Sequence, residues 1–368
     1  MKPYPSQARP WVQILFLLVV VFIGARFYLF VSSIEKGVIP DFERPAGVEA
    51  FLPIGALVSL KHLLYTGTIN RIHPSGLVLF LMIIFTAVFA KKGFCSWVCP
   101  VGTLSEYLYK GRTFLFQKHF KMPALPDFLL RALKYLIAGF FIYQIFYKMP
   151  INGIEQFIQS PYNRFADINM LKFFTRMSAT TFVVLMSLFV LSILFRHFWC
   201  RYLCPYGALL GLVGLLSLGK IHRDPSHCTD CGKCEKKCPG MIPIRQKTIV
   251  HSLECSACLT CIESCPEKGA LKFTSYAGRS SLPTAFIALG FILFFSSGIT
   301  LAIVSDTWQN EIPTQAYVNY AVSMNRKLNS IDRMDGMDPE KMQKMILMMK
   351  RLQEQKAGMQ DSQQEKGD

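Results

Sequence analysis

No glycine-rich loop that would cradle a phosphate occurs in this sequence, and no nucleophile elbow. No C-x-x-C-H segment attaches a haem. Nothing in the chain therefore points to group transfer or to c-type haem. Charge is scarce too. Asp, Glu, Lys and Arg make up 17% of the 368 residues, against 51% hydrophobic and 13% aromatic. That balance lies outside the habit of soluble domains and points to the membrane class. Acidic residues are the scarcer sign, 24 against 40 Lys and Arg, for a net charge of +16. The basic excess is spread over loops that flank apolar spans, as the positive-inside rule expects, and is not a nucleic-acid footprint. No cysteine is left over. Of 12, eight lie in one stretch and four in two spaced pairs.

The eight lie between Cys228 and Pro266. The stretch reads C-TD-C-GK-C-EKK-C-P, a spacer of fifteen residues, then C-SA-C-LT-C-IES-C-P. This is C-x2-C-x2-C-x3-C-P twice, the bacterial run for two [4Fe–4S] clusters. Three cysteines at short gaps wrap one cubane, and the fourth reaches across to the other. The pattern assigns Cys228, Cys231, Cys234 and Cys265 to one cluster, and Cys255, Cys258, Cys261 and Cys238 to the second. Structural zinc pairs two C-x2-C arms rather than such triplets. Disulfides do not suit a segment that the charge bias places in the cytosol.

Five uncharged or nearly uncharged spans are expected: 11–33, 74–90, 128–147, 178–195 and 282–305. The first is too long for a signal peptide and lacks a small-x-small cleavage site. Segments 91–134 and 196–281 hold 8 and 12 Lys/Arg, whereas 34–75 and 148–177 hold 4 each. The first two are therefore read as cytosolic, with the N-terminus and both cysteine runs inside and the C-terminal tail outside. The expected architecture is an all-α polytopic membrane protein with an internal parallel repeat and a cytosolic 2[4Fe–4S] ferredoxin domain. Its parts are a stub and first span (1–33), the rest of repeat one (34–127), repeat two (128–219), the ferredoxin-like domain (220–275), a fifth span (282–305) and a tail (306–368).

The repeat is written in the residues. Gly47-Val-Glu49-Ala-Phe51 matches Gly153-Ile-Glu155-Gln-Phe157. Phe94-Cys95-x3-Cys99-Pro-x-Gly102 matches Trp199-Cys200-x3-Cys204-Pro-x-Gly207. Same-direction repeats imply a pseudo-twofold axis along the membrane normal. Such an axis brings Cys95, Cys99, Cys200 and Cys204 together at the inner face, and turns Glu49 toward Glu155 at the outer one. Four soft ligands suit an iron–sulfur centre, cuprous copper or zinc. Two separate redox-active or merely buried thiol pairs fit the residues as well. Glu49 and Glu155 are candidate proton acceptors from a quinol, since ionisable groups at membrane depth tend to be functional; a helix-end charge or a repeat-interface hydrogen bond is the structural alternative. His62 and His73 are candidate quinone partners or haem ligands on the outer side, and His197 abuts Cys200. Lys233, Lys236 and Lys237 crowd the first cluster, as a solvated basic loop or a docking face for an acidic donor. The tail carries Met334, Met337, Met342, Met345, Met348 and Met349. Their spacing makes a stripe on a helix over about 339–355, suited to packing on a partner or to holding cuprous copper.

Two CxxxCP motifs at the inner ends of spans, followed by tandem ferredoxin runs, resemble the membrane polyferredoxin family over roughly residues 10–275. The family includes NapH-type quinol dehydrogenase components, NosR-type proteins and CcoG-type assembly proteins; the NapH-type component is the nearest likeness. The resemblance implies a bacterial inner-membrane protein that moves electrons between the quinone pool, cytosolic-side clusters and a periplasmic acceptor, often a c-type cytochrome. Reduction of cupric copper, as implied by CcoG-type members, is the alternative. The chain departs from the resemblance in lacking a large N-terminal flavin-binding domain and in adding a fifth span and a tail.

Overall fold

A computed structural model describes residues 8–116, 122–267, 269–274 and 283–335. The methionine stripe expected over 339–355 lies outside them, and Met334 is described by its backbone alone. The described chain is mostly helical and falls into two units: residues up to 29 with 43–312, and residues 30–42 with the chain from 313 onward.

Helix α1 (Ala8–Glu35) runs 28 residues with its one proline, Pro10, in the first turn, about 42 Å at 1.5 Å per residue. A short 3-10 turn, Ala46–Phe51, precedes α2 (Pro53–Thr66). Proline opens α2, where a missing N–H costs nothing, and left-handed Gly67 closes it by donating to Leu63 O. The next three helices are α3 (Pro74–Ala90), α4 (Gly93–Trp97) and α5 (Pro100–Phe116). The second repeat retraces these steps. Helix α6 (Ala124–Ile142) ends in a π-turn to Lys148. Then come α7 (Ile151–Gln159), α8 (Pro161–Arg164), α9 (Ala166–Thr175) and α10 (Ala179–Leu194). A π-turn, Trp199–Leu203, stands where α4 stood, and α11 (Pro205–Val213) where α5 began. Shifted by 105 residues, α3 falls on α10 and the start of α5 on the start of α11. The packing is exchanged in the same way: α11 packs on α3, and α10 on α5. That crossed pair is the contact a pseudo-twofold axis produces.

Among the described residues, three helical stretches are long and apolar enough to cross a bilayer: Ala8–Glu35, Leu125–Lys148 and Thr284–Val304 (α14). The pair α9 and α10, bent by 81°, makes a fourth if taken as one span. The remaining expected span is α3, only 17 residues long. It is covered by protein, because α2, α11 and α14 all pack on it.

Between α11 and α14 lies the cysteine-rich segment. Strand β1 (Lys220–Arg223) pairs antiparallel with β2 (Leu271–Thr274) and closes it into a loop. Short helices α12 (Lys233–Lys237) and α13 (Thr260–Glu263) carry the third cysteine of each run. The segment is stitched to the end of α3: Leu218 N–H donates to Val88 O at 2.8 Å and Gly219 N–H to Phe89 O at 3.0 Å. Only glycine fits at 219, where a Cβ would stand 2.5 Å from Phe89 O and 2.3 Å from Phe273 Cζ. In the second unit, helix α15 (Thr314–Asp335) sets Tyr317 edge-on against Phe30, with ring centroids 5.9 Å apart.

Candidate functional site

The two cysteine runs share a backbone shape. Asp230 and Ala257, each before a second cysteine, take φ of 53° and 45°; Gly232 and Leu259, each after it, take 68° and 60°. Left-handed backbone at alanine and leucine costs on the order of 1–3 kcal/mol each and persists where a site requires it. Here it bends each run around a common centre. Cys238, Cys255, Cys258 and Cys261 line one cavity. Its other walls are mostly apolar, including Ile221, Ile242, Ile244, Val250 and Leu259. One cysteine of the first run thus joins three of the second. All four are buried, and burial pushes the Cys255 thiol up to about 11. Cys228, Cys231, Cys234 and Cys265 form the other group, in which Cys265 acts on Cys234 and both Cys228 and Cys231 act on Cys265. This group faces outward: Cys231 is exposed, and Cys228 and Cys265 are half-buried.

A third thiol group lies between the repeats. Cys200 feels Cys95, Cys99 and Cys204, and Cys95 feels Cys99 and Cys204. All four thiols are pushed up, first by burial. Buried and protonated, they would release protons on binding a metal. The halves hold their second cysteine alike. Cys99 Sγ accepts from the N–H groups of Val101 and Gly102, and Cys204 Sγ from those of Tyr206 and Gly207. Each sulfur thus caps a proline-initiated helix, where free N–H groups favour negative charge. The glycines permit this: a Cβ at Gly102 would stand 2.0 Å from Cys95 O, and one at Gly207 3.1 Å from Cys200 O. Ser105 bonds Cys200. Among the described residues no three His, Cys, Asp or Glu side chains stand in an arrangement for a single metal ion.

The repeats grip the ferredoxin segment around its buried cavity. From repeat one, Ser96 Oγ donates to Ser256 O (2.6 Å), Trp97 Nε1 to Ala257 O (3.1 Å) and Lys92 N–H to Cys255 O (3.4 Å). From repeat two, Arg196 donates to Cys238 O (3.2 Å) and Arg201 to Gly240 O (3.1 Å). Asp127 and Tyr202 hold Arg201 in place: Asp127 accepts from its Nε at 2.9 Å and from Tyr202 Oη at 2.6 Å. Arg9 binds Glu106, Ser96 O and Thr260 Oγ1, tying α1 to both.

The opposite end of α3 is built differently. Glu49 is wholly buried and accepts from Arg44 at 3.0 Å, Ser75 Oγ at 2.5 Å and Gly76 N–H at 3.0 Å. His73 Nδ1 stands 3.1 Å from Glu49 Oε1, and its Nε2 lies 2.6 Å from Asn163 O. Both ring nitrogens therefore face acceptors, which only the imidazolium satisfies. Burial opposes charge on both partners; the Arg44 guanidinium and the His73 ring nonetheless hold the Glu49 carboxyl low, and Glu49 holds His73 above its ordinary value. Arg44 also binds Asp167. Glu155, its expected counterpart, is exposed and has no polar partner among the described residues. The two glutamates do not share a site. His62 is a surface residue bonded to Thr66 and Thr68. His197 is left neutral by burial, its pKa lowered to about 4, with Nε2 unpartnered.

Sequence reasoning passed over Arg44 and Asp167, whose only signal was charge in a short polar stretch. It also passed over Glu254, between Lys92 and Lys134 at 3.0 and 2.6 Å. Lys134, a cation inside an apolar span, was the available signal.

Comparison with known proteins agrees with this geometry. A 4Fe-4S binding domain profile matches residues 72–123 and again 178–224, once over each CxxxCP motif. A 4Fe-4S dicluster domain profile matches 220–266. YccM of Escherichia coli is 39% identical over 316 residues, covering 84% of this chain and 88% of that protein. The ferredoxin-type protein NapH of Haemophilus influenzae is 27% identical, over 53% of this chain and 66% of its own. The methylamine utilization ferredoxin-type protein MauN of Methylobacillus flagellatus is 25% identical, over 60% and 71%. No solved structure matches. The site and these relatives define a class, iron–sulfur electron carriers of the membrane. The chain belongs to the membrane ferredoxin-type electron transport family.

Proposed function

We propose that this protein passes single electrons between the quinone pool and an acceptor across the membrane, through two ferredoxin clusters and a third centre held by the CxxxCP cysteines. The observation that carries the reading is the grip of both CxxxCP loops on the carbonyls flanking Cys238, Cys255 and Ala257. It ties the loops that carry one buried thiol group to the backbone that carries the other. Iron–sulfur clusters, when bound, supply one-electron carriage.

The chain's own residues make three positions. Cys228, Cys231, Cys234 and Cys265 would hold the cluster nearest solvent, where a soluble carrier can reach it. Cys238, Cys255, Cys258 and Cys261 would hold the second in a dry pocket. Cys95, Cys99, Cys200 and Cys204 would hold the third at the membrane. Capped sulfurs, mutual reach among four thiols and the matching profile on each half favour a cluster there over a single ion. Positive-inside bias supports a cytosolic ferredoxin segment in a bacterial inner membrane, with residues 306–368 periplasmic and a c-type cytochrome or iron–sulfur subunit as acceptor. The domain division drawn from the sequence is kept. Because Glu49 is sealed from lipid, it serves here as the anchor of the far end rather than as a quinol's proton acceptor; an exposed Glu155 remains the candidate for that role.

The test uses purified protein with its clusters reduced, mixed with a short-chain quinone or with cupric ion. Reoxidation by the quinone is expected. Reoxidation by cupric ion alone, with no response to quinone, would overturn the reading in favour of copper reduction.

A further inference from the structure

We propose that Lys92, Lys134 and Glu254 form a buried charge bridge that sets the reduction potentials of the thiol centres on its two sides. The inference rests on the reading that both centres hold clusters. The three side chains come from the loop after α3, from α6 in the other repeat, and from the residue before Cys255. Glu254 Oε2 lies 3.0 Å from Lys92 Nζ, and Oε1 lies 2.6 Å from Lys134 Nζ. Both lysines are buried, Lys134 completely. Both ammonium groups act on the thiols of Cys95 and Cys204, one from each repeat. Across the bridge, Cys255 begins the buried ferredoxin triplet.

The charge count around the bridge is unbalanced. Lys91 is also buried, at 1% exposure. It acts on Cys255, and among the described residues its Nζ reaches only the Gly214 carbonyl, at 3.4 Å. Lys220 faces it, adding positive charge. Arg201 also acts on Lys134, but Asp127 neutralises it. Lys92 and Lys134 thus share one carboxylate, Glu254, and no carboxylate pairs with Lys91 among the described residues. Glu254 sits between two ammonium groups at ion-pair distance, the arrangement of a carboxylate held as an anion. Buried cations without counter-charge are costly. A cluster bound by four thiolates is net negative, and one on each side supplies the missing anions. The cation excess thus points to anionic occupants at both thiol groups, independently of the cysteine spacing.

The consequence is directional. A reduced cluster carries one more negative charge than an oxidised one. Buried ammonium groups favour the reduced form, Glu254 opposes it, and in a low-dielectric setting both effects are large. A redox titration of the full-length protein in detergent, followed by electron paramagnetic resonance with iron content measured alongside, tests this. Lys134→Met should shift the one-electron equilibrium of at least one centre about tenfold toward the oxidised form, equivalent to 59 mV. Lys92→Met should shift it the same way, and Glu254→Gln the opposite way. Lys134→Arg should stay near the wild-type value. A packing role alone would move the lysine and glutamate variants together. Shifts of one sign in all three, or none with iron intact, would overturn the proposal. If Lys134→Met fails to fold, the opposed signs of Lys92→Met and Glu254→Gln decide it. Wild-type protein without iron would instead overturn the cluster reading, a failure visible before any titration.

Discussion

Helices α3 and α10 occupy equivalent places in the two repeats, yet α3 buries eleven of its residues and α10 only Ser192. Glu49, at the N-terminus of α3, is buried, whereas its counterpart in the repeat, Glu155, is exposed. At their C-termini the difference vanishes: Cys99 and Cys204 cap helices through the same pair of N–H groups, and both loops reach the same ferredoxin cavity. One copy of a duplicated unit has become the core and the other the rim, while the thiol end stayed matched. That is the pattern expected if chemistry needs both thiol pairs and stability needs only one anchor. Helix α14, which packs on α3 and stacks Phe291 on Trp97 of α4 with ring centroids 5.5 Å apart, adds to the imbalance.

The largest test of this asymmetry is a matched pair of substitutions. Glu49→Gln leaves the His73 charge buried without its paired carboxylate and Arg44 paired with Asp167, and should cost about 3–5 kcal/mol. Glu155→Gln alters an exposed side chain and should fall within about 0.5 kcal/mol. Thermal unfolding in detergent compares them, and equal losses would break the contrast between core and rim. A smaller effect probes the matched end. Gly102→Ala forces a methyl against the Cys95 carbonyl and should cost about 1–3 kcal/mol with loss of iron, whereas Gly207→Ala should be nearly tolerated. Iron content of the two variants reads this directly, and a Gly207→Ala chain that lost as much would show the loops to be equally tight.

The smallest effect is in pH. His73 has a folded pKa raised above its ordinary 6.5, so its contribution is full below that value and fades as pH rises through the folded pKa. Glu49, held low, contributes fully above its ordinary 4.5 and fades as pH falls through its folded pKa. Melting temperature should therefore decline on the alkaline side, and His73→Gln should remove that decline. An unchanged alkaline slope in the variant would place the titrating group elsewhere.

Much of the thiol chemistry was legible because cluster ligands are set by short spacing. C-x2-C-x2-C-x3-C fixes which sulfurs converge with little help from the rest of the chain. The repeat, too, could be read at two short motifs, and the helices fall at that offset. The unequal burial of α3 and α10 could not be read. Lipid is as apolar as a protein interior, so a span has the same composition whether it faces one or the other. Residue contacts such as Lys134 with Glu254, or His73 with Asn163, join positions 120 and 90 apart, beyond what periodicity encodes. The GxExF likeness does not extend to contacts: the segment is a 3-10 turn at Glu49 and a helix at Glu155, and the partners of Glu49 come from Arg44, His73 and Ser75 of the first repeat.

The most direct test is the iron content and paramagnetic resonance spectrum of anaerobically purified protein, beside a Cys95→Ser/Cys200→Ser double variant. Three centres predict roughly twelve iron atoms per chain, falling to about eight in the variant with the ferredoxin signals kept. Iron content and spectrum unchanged by the double substitution would contradict a third centre between the repeats.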